Sequence, residues 1–69
     1  MKISARNQIK GKIVAIDRGV TTSHVKIDIG GGSVITSAIT KTSVEELKLE
    51  VGKQVVAIVK ASDVMVGVE

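Results

Sequence analysis

The residues best equipped for chemistry in this chain stand near its two ends. Ser4, Arg6, Asn7 and Gln8 place a hydroxyl, a guanidinium and two carboxamides within five consecutive positions, between the apolar Ile3 and Ile9. A planar fork of N–H donors beside a hydroxyl suits a small anion with several oxygens. Towards the other end, Lys60-Ala61-Ser62 offers an ammonium, backbone amides and a hydroxyl where an apolar run stops. Thr40 and Ser43 stand where a strand is expected to give way to a helix, and amides at a helix start also attract anions. A tetrahedral dianion matches such a set of donors. Phosphate keeps a proton at neutral pH, and burying that hydrogen without an acceptor costs about 1–3 kcal/mol. A fully deprotonated oxyanion avoids the cost.

Other chemistries fit less well. Cysteine is absent, which removes disulfides, thiolate metal sites and a thiol nucleophile. The single histidine, His24, falls on the polar side of an alternating segment, and Glu45 and Glu46 are adjacent at a helix start, where acids favour the dipole. No base converges with an orienting partner, so no enzyme is expected. Single-stranded nucleic acid is the first alternative, since OB-type barrels bind it. That task relies on aromatic platforms worth ~1–3 kcal/mol per base. The chain has no Phe, Trp or Tyr, and its net charge of +3 is mild. A ligand-free oligomerisation module is the second alternative, and it would not need Ser4, Arg6 and Lys60 together.

These groups must be positioned by a small scaffold. The 69 residues make one domain, 1–69, and a chain of this size buries only roughly 60% of the surface that its unfolded state exposes. With no cysteine and one histidine, partner subunits are the remaining source of stability. The apolar 43% is mostly Val, Ile, Ala and Leu, a β-rich palette. No apolar run approaches the ~20 residues of a membrane span, and no signal segment is apparent. A cytoplasmic location without membrane contact is the expectation.

The pattern predicts a strand from Ile3 through Gly11 and on to Asp17, then a turn over Asp17–Ser23 in which Gly19 is free to take positive φ. His24–Ile29 alternates, with Val25, Ile27 and Ile29 on one face and His24, Lys26 and Asp28 on the other. Gly30-Gly31-Gly32 reads as a hairpin, since it lacks the Lys-Ser/Thr and following helix of a phosphate loop. Ser33–Thr40 is the returning strand. Thr42 and Glu45 form a capping-box pattern for a two-turn helix that ends at Gly52. In Lys53–Lys60, Val55 to Val59 is apolar throughout, so both faces are expected to be covered, one inside a barrel and one by a neighbouring subunit. Val64–Val68 is expected to close as a short strand. Five strands with a helix between the third and fourth is the order of an OB-like barrel in an all-β domain.

Ser4-Ala5-Arg6-Asn7-Gln8 with Ile9-Lys10-Gly11, Ala38-Ile39-Thr40 with Ser43 and Leu47, and Val59-Lys60-Ala61-Ser62-Asp63-Val64 closely resemble the molbindin (Mop) family of cytoplasmic molybdate-binding proteins. The resemblance covers essentially the whole chain. It implies a five-stranded OB-like barrel in strand-exchanged dimers that assemble to a hexamer, a trimer of dimers. It also implies molybdate sites between subunits, and no cofactor beyond that ligand or its near-isostere tungstate. Carried over by position, Ser4, Ala5 and Arg6 face the anion from one side, with Thr40, Ser43, Lys60, Ala61 and Ser62 completing the shell. A second class of oxyanion site near the threefold axis would involve Gly19 and Val20.

Overall fold

The computed structural model describes residues 1–69. Strands β1 (Asn7–Arg18), β2 (Thr22–Gly30) and β3 (Ser33–Thr40) precede helix α1 (Lys41–Glu46), strand β4 (Gln54–Val59) and a 3-10 turn over Ala61–Asp63. The four strands form one sheet in the order β3-β2-β1-β4, every pair antiparallel. β1 serves two partners in succession. Asn7–Lys12 pairs with β4, and Lys12–Arg18 pairs with β2, with a bulge between Ile13 and Ala15 that sharpens the coil of the strand. At the crossover, a Cβ on Gly11 would stand 2.5 Å from Ile27 Cγ2 and 2.7 Å from the Asp28 carbonyl oxygen. Only glycine lets β1 curl so close to β2.

The alternation expected on β2 is borne out: Ser23, Val25 and Ile27 are buried, and His24, Lys26 and Asp28 are exposed. Ile13, Val25, Ile27, Val44 and Ala57 form the core, with Ile9, Ile16, Ile29, Ile35, Ile39, Leu49 and Val55 packed around it. The triple glycine is the expected hairpin, closed by the Gly30–Ser33 pair with Gly31 and Gly32 both at positive φ. Only 6 of the 69 residues are buried, so one copy has little core of its own. On β4, Val55, Ala57 and Val59 turn inward, but Val56 and Ile58 are exposed. One face of that apolar run is uncovered. No helix is long and apolar enough to cross a membrane.

Several expectations need correction. Thr40, not Thr42, caps the helix, because the Lys41 amide donates to the Thr21 carbonyl at 2.9 Å and starts the helical turn one step earlier. The helix also ends well before Gly52. Lys48 takes φ 54°, with its amide on the Glu45 carbonyl (3.1 Å) and the Leu49 amide on the Val44 carbonyl (3.0 Å), a Schellman finish on a non-glycine residue. Lys53 Nζ donates to the carbonyls of Leu47 (2.9 Å) and Lys48 (3.2 Å), placing a cation at the helix C-terminus. Gly19 is free to take positive φ but does not use that freedom. Glycine is required there by closeness, since a Cβ would collide with the Thr22 carbonyl oxygen.

The two ends of the chain differ most from expectation. The first strand starts at Asn7 rather than Ile3, because its partner β4 stops at Val59 and turns away. Val64–Val68 forms no strand, and Met65, Val66 and Val68 are at least 90% exposed. The 3-10 turn carries this segment off the sheet. Between the free edges of β3 and β4 an apolar opening of about 360 Å³ remains, lined by Ile35, Ile39, Val55, Ala57 and Val59 among others. A single copy therefore has four strands and an open slot where the expected fifth would lie.

Candidate functional site

The antiparallel register of β1 and β4 runs from Lys12–Gln54 to Asn7–Val59. Pairing stops there, and Arg6 and Lys60 are the residues that flank this last pair outside the two strands. Just beyond the last pair, Arg6 lies in a bend, and Lys60 is extended (φ −66°, ψ 141°) as it enters the 3-10 turn. Asn7 Nδ2 closes this end by donating to the Val59 carbonyl at 3.2 Å. Within the turn, the Asp63 amide donates to Lys60 (2.9 Å) and the Val64 amide to Ala61 (3.2 Å), which leaves the amides of Ala61 and Ser62 with no backbone acceptor. Ser4, Arg6, Lys60 and Ser62 are exposed, and Ala5 is half-buried. None of the chain's own side-chain hydrogen bonds engages Arg6 or Lys60. Two cations, two hydroxyls and two free amides thus share one end of the sheet, and all of these groups donate.

Thr40 and Ser43 lie elsewhere. Thr40 pairs with Thr22, and the adjacent Ser23 pairs with Arg18, so both belong to the far end of β1, whose 12 residues separate them from Arg6. Thr40 Oγ1 accepts the Ser43 amide at 3.0 Å and donates to Ser43 Oγ at 2.8 Å. With Lys41 already bonded to Thr21, two of the first amides of this six-residue helix are satisfied within the chain. Gly19 and Val20 share this end through the Gly19 amide bond to the Thr22 carbonyl (3.0 Å), and Val20 is 91% exposed. One copy therefore splits the expected set in two. Ser4, Ala5, Arg6, Lys60, Ala61 and Ser62 belong to the two segments that leave the Asn7–Val59 end of the sheet, while Thr40, Ser43, Gly19 and Val20 lie at the opposite end of β1.

Two contributors were not legible as such. Asn7 stands inside the motif, but nothing in the sequence pairs its carboxamide with Val59. Lys53 reads as the first residue of the last strand, and its bonds to the Leu47 and Lys48 carbonyls emerge only in the fold. No group of three or more His, Cys, Asp or Glu side chains gathers to hold a metal cation.

A family model described as the TOBE domain matches residues 3–66. This chain belongs to that family. The matched TOBE range includes every candidate residue at both ends of β1. A Haemophilus influenzae protein named probable molybdenum-pterin-binding protein is 59% identical over 69 residues, the whole of both chains. Among solved structures, MopII from Clostridium pasteurianum in an apo form superposes with a TM-score of 0.90 at 49% identity, over 97% of this chain and 100% of that one. The cytoplasmic molybdate-binding protein ModG, with molybdate bound, gives a TM-score of 0.94 at 39% identity, over 100% of this chain and 49% of that one. The resemblance to the molbindins carried by the Ser4–Gly11 and Val59–Val64 motifs thus extends over the full length of this TOBE-domain chain.

Proposed function

We propose that this chain binds molybdate, and its near-isostere tungstate, at sites completed between copies of itself. The observation that carries this is that Arg6 and Lys60 both flank the last β1–β4 pair, Asn7–Val59, at the end of the sheet that also holds the free amides of Ala61 and Ser62. Two like charges directly opposite destabilise a strand end. A dianion between them turns that repulsion into two charge-assisted contacts. The names of the relatives support molybdate as that dianion.

Ser4, Ala5, Arg6, Lys60, Ala61 and Ser62 provide one half of the shell. Thr40 and Ser43, at the far end of their own chain, are contributed by a second copy. Gly19 and Val20 face a further oxyanion position near a symmetry axis. Assembly follows from the open slot: the Val64–Val68 segment of one copy enters between β3 and β4 of another as the fifth strand of its barrel. Such dimers, three together, make a hexamer that also covers Val56 and Ile58. The role is storage or homeostasis of the oxyanion in the cytoplasm, by binding and not by catalysis, with no further cofactor.

Native mass spectrometry with and without molybdate, beside sulfate and phosphate, tests the proposal. A hexamer that gains whole molybdates and ignores phosphate is the expected result. An oligomer that takes up no oxyanion would reduce the chain to an assembly module. A monomer that retains RNA would favour the nucleic-acid alternative.

A further inference from the structure

The two cations at the proposed site come from segments more than fifty positions apart, and one side-chain bond ties those segments at the last pair before the site. That bond runs from Asn7 Nδ2 to the Val59 carbonyl, at 3.2 Å across 52 positions, and it is half-buried. Immediately beyond it come Arg6 on one segment and Lys60 on the other, with no bond from either side chain to the rest of the chain. Strand ends fray, and a pair of like charges at the end promotes fraying. The chain on both sides also departs from the sheet there, at the bend of Arg6 and the turn of Ala61–Asp63.

We propose that Asn7 is a positioning residue for oxyanion binding: by clasping the Val59 carbonyl it holds β1 and β4 together and sets the spacing of the Arg6 guanidinium and the Lys60 ammonium. This rests on the molybdate reading of the site. Asn7 acts through the two cations and prepares their separation before the anion arrives, so that less ordering is needed on binding.

The test is a double-mutant cycle on the full chain, with molybdate affinity read by titration calorimetry and thermal melting read without ligand. Asn7→Ala is expected to weaken molybdate binding about tenfold, the factor carried by one neutral hydrogen bond. Asn7→Ser, which keeps a short donor, should recover part of the loss. In a Lys60→Ala background, Asn7→Ala should change affinity less than twofold, because the spacing it sets no longer matters. Equal tenfold losses in both backgrounds, or a fall in ligand-free melting with affinity unchanged, would overturn the positioning role while leaving molybdate binding intact. If Asn7→Ala does not fold, the same cycle is run with Asn7→Ser, for which a smaller, Lys60-dependent loss is expected and a Lys60-independent one would overturn the role. Failure of the unsubstituted chain to bind molybdate would overturn the site itself, and the role of Asn7 with it.

Discussion

Thr40 and Ser43 satisfy each other at the start of α1: the Ser43 amide reaches Thr40 Oγ1 at 3.0 Å, and the two hydroxyl oxygens lie 2.8 Å apart. This contact caps a helix of only six residues, whose one buried side chain is Val44. So short a helix has little stability of its own. Thr40→Ala should cost about 1 kcal/mol, the usual value of an N-cap. Thr40→Ser keeps the oxygen and should stay within a few tenths of wild type. Denaturant unfolding of the two variants checks this, and equal losses would mean that the methyl group rather than the cap matters.

Gly11 makes a different prediction. A methyl group there meets Ile27 Cγ2 and the Asp28 carbonyl oxygen at 2.5 and 2.7 Å. The side chain can yield but the backbone oxygen cannot without opening the β1–β2 pairing. Gly11→Ala should therefore destabilise by about 1–3 kcal/mol, as overpacked sites do. A melting temperature unchanged from wild type would show that β1 can relax.

Ser23 carries a buried hydroxyl, 0% exposed, with no hydrogen-bond partner. An unpaired buried hydroxyl costs about 1–3 kcal/mol. Ser23→Ala removes it and leaves only a small void, so the variant should be at least as stable as wild type. A gain of about 1 kcal/mol would raise the melting temperature by roughly 4–8 °C in a domain of this size. A lower melting temperature would mean that the hydroxyl has a partner in the assembled protein.

Arg6 and Ser62 are expected to contribute unequally to molybdate binding. Arg6→Ala removes a charge and a fork of donors, and hydrogen bonds to charged groups are roughly twice as strong as neutral ones. Its loss in affinity should exceed that of Ser62→Ala by about tenfold. Calorimetry on both variants decides the order, and equal losses would count against the guanidinium as the main anchor.

Molybdate should also stabilise the assembly. At a free concentration 100 times its dissociation constant, a ligand that binds only the native state adds about 2.7 kcal/mol per site. With molybdate the melting temperature should rise and subunit dissociation should fall, and equal phosphate should move neither. No shift at saturation would contradict sites that lie between copies.

Much of the fold was legible because it follows from local chemistry. The alternation of Val25, Ile27 and Ile29 specifies a half-buried strand wherever it pairs, and three glycines between two such strands make a hairpin. The helix start was less legible. The capping-box pattern pointed to Thr42, but the long-range bond from the Lys41 amide to the Thr21 carbonyl accompanies a helix that is capped by Thr40. The C-terminal Val64–Val68 has the composition of a strand, but a strand exists only against an edge, and the turn over Ala61–Asp63 leads it away from its own sheet.

The sequence by itself determined the kind of chemistry available at the two ends: cations, hydroxyls and amides that donate, on a small β-rich chain with much aliphatic surface. Side-chain type and alternation are properties of each residue and its near neighbours, so they can be read in one dimension. Which donors stand together was decided by tertiary structure alone. The β1–β4 register sets the segments that carry Arg6 and Lys60 at one end of the sheet, and the β2–β3 register carries Thr40 to the far end of β1. Registers are fixed by hydrogen bonds between distant segments and by the core those segments share, and no local pattern contains them.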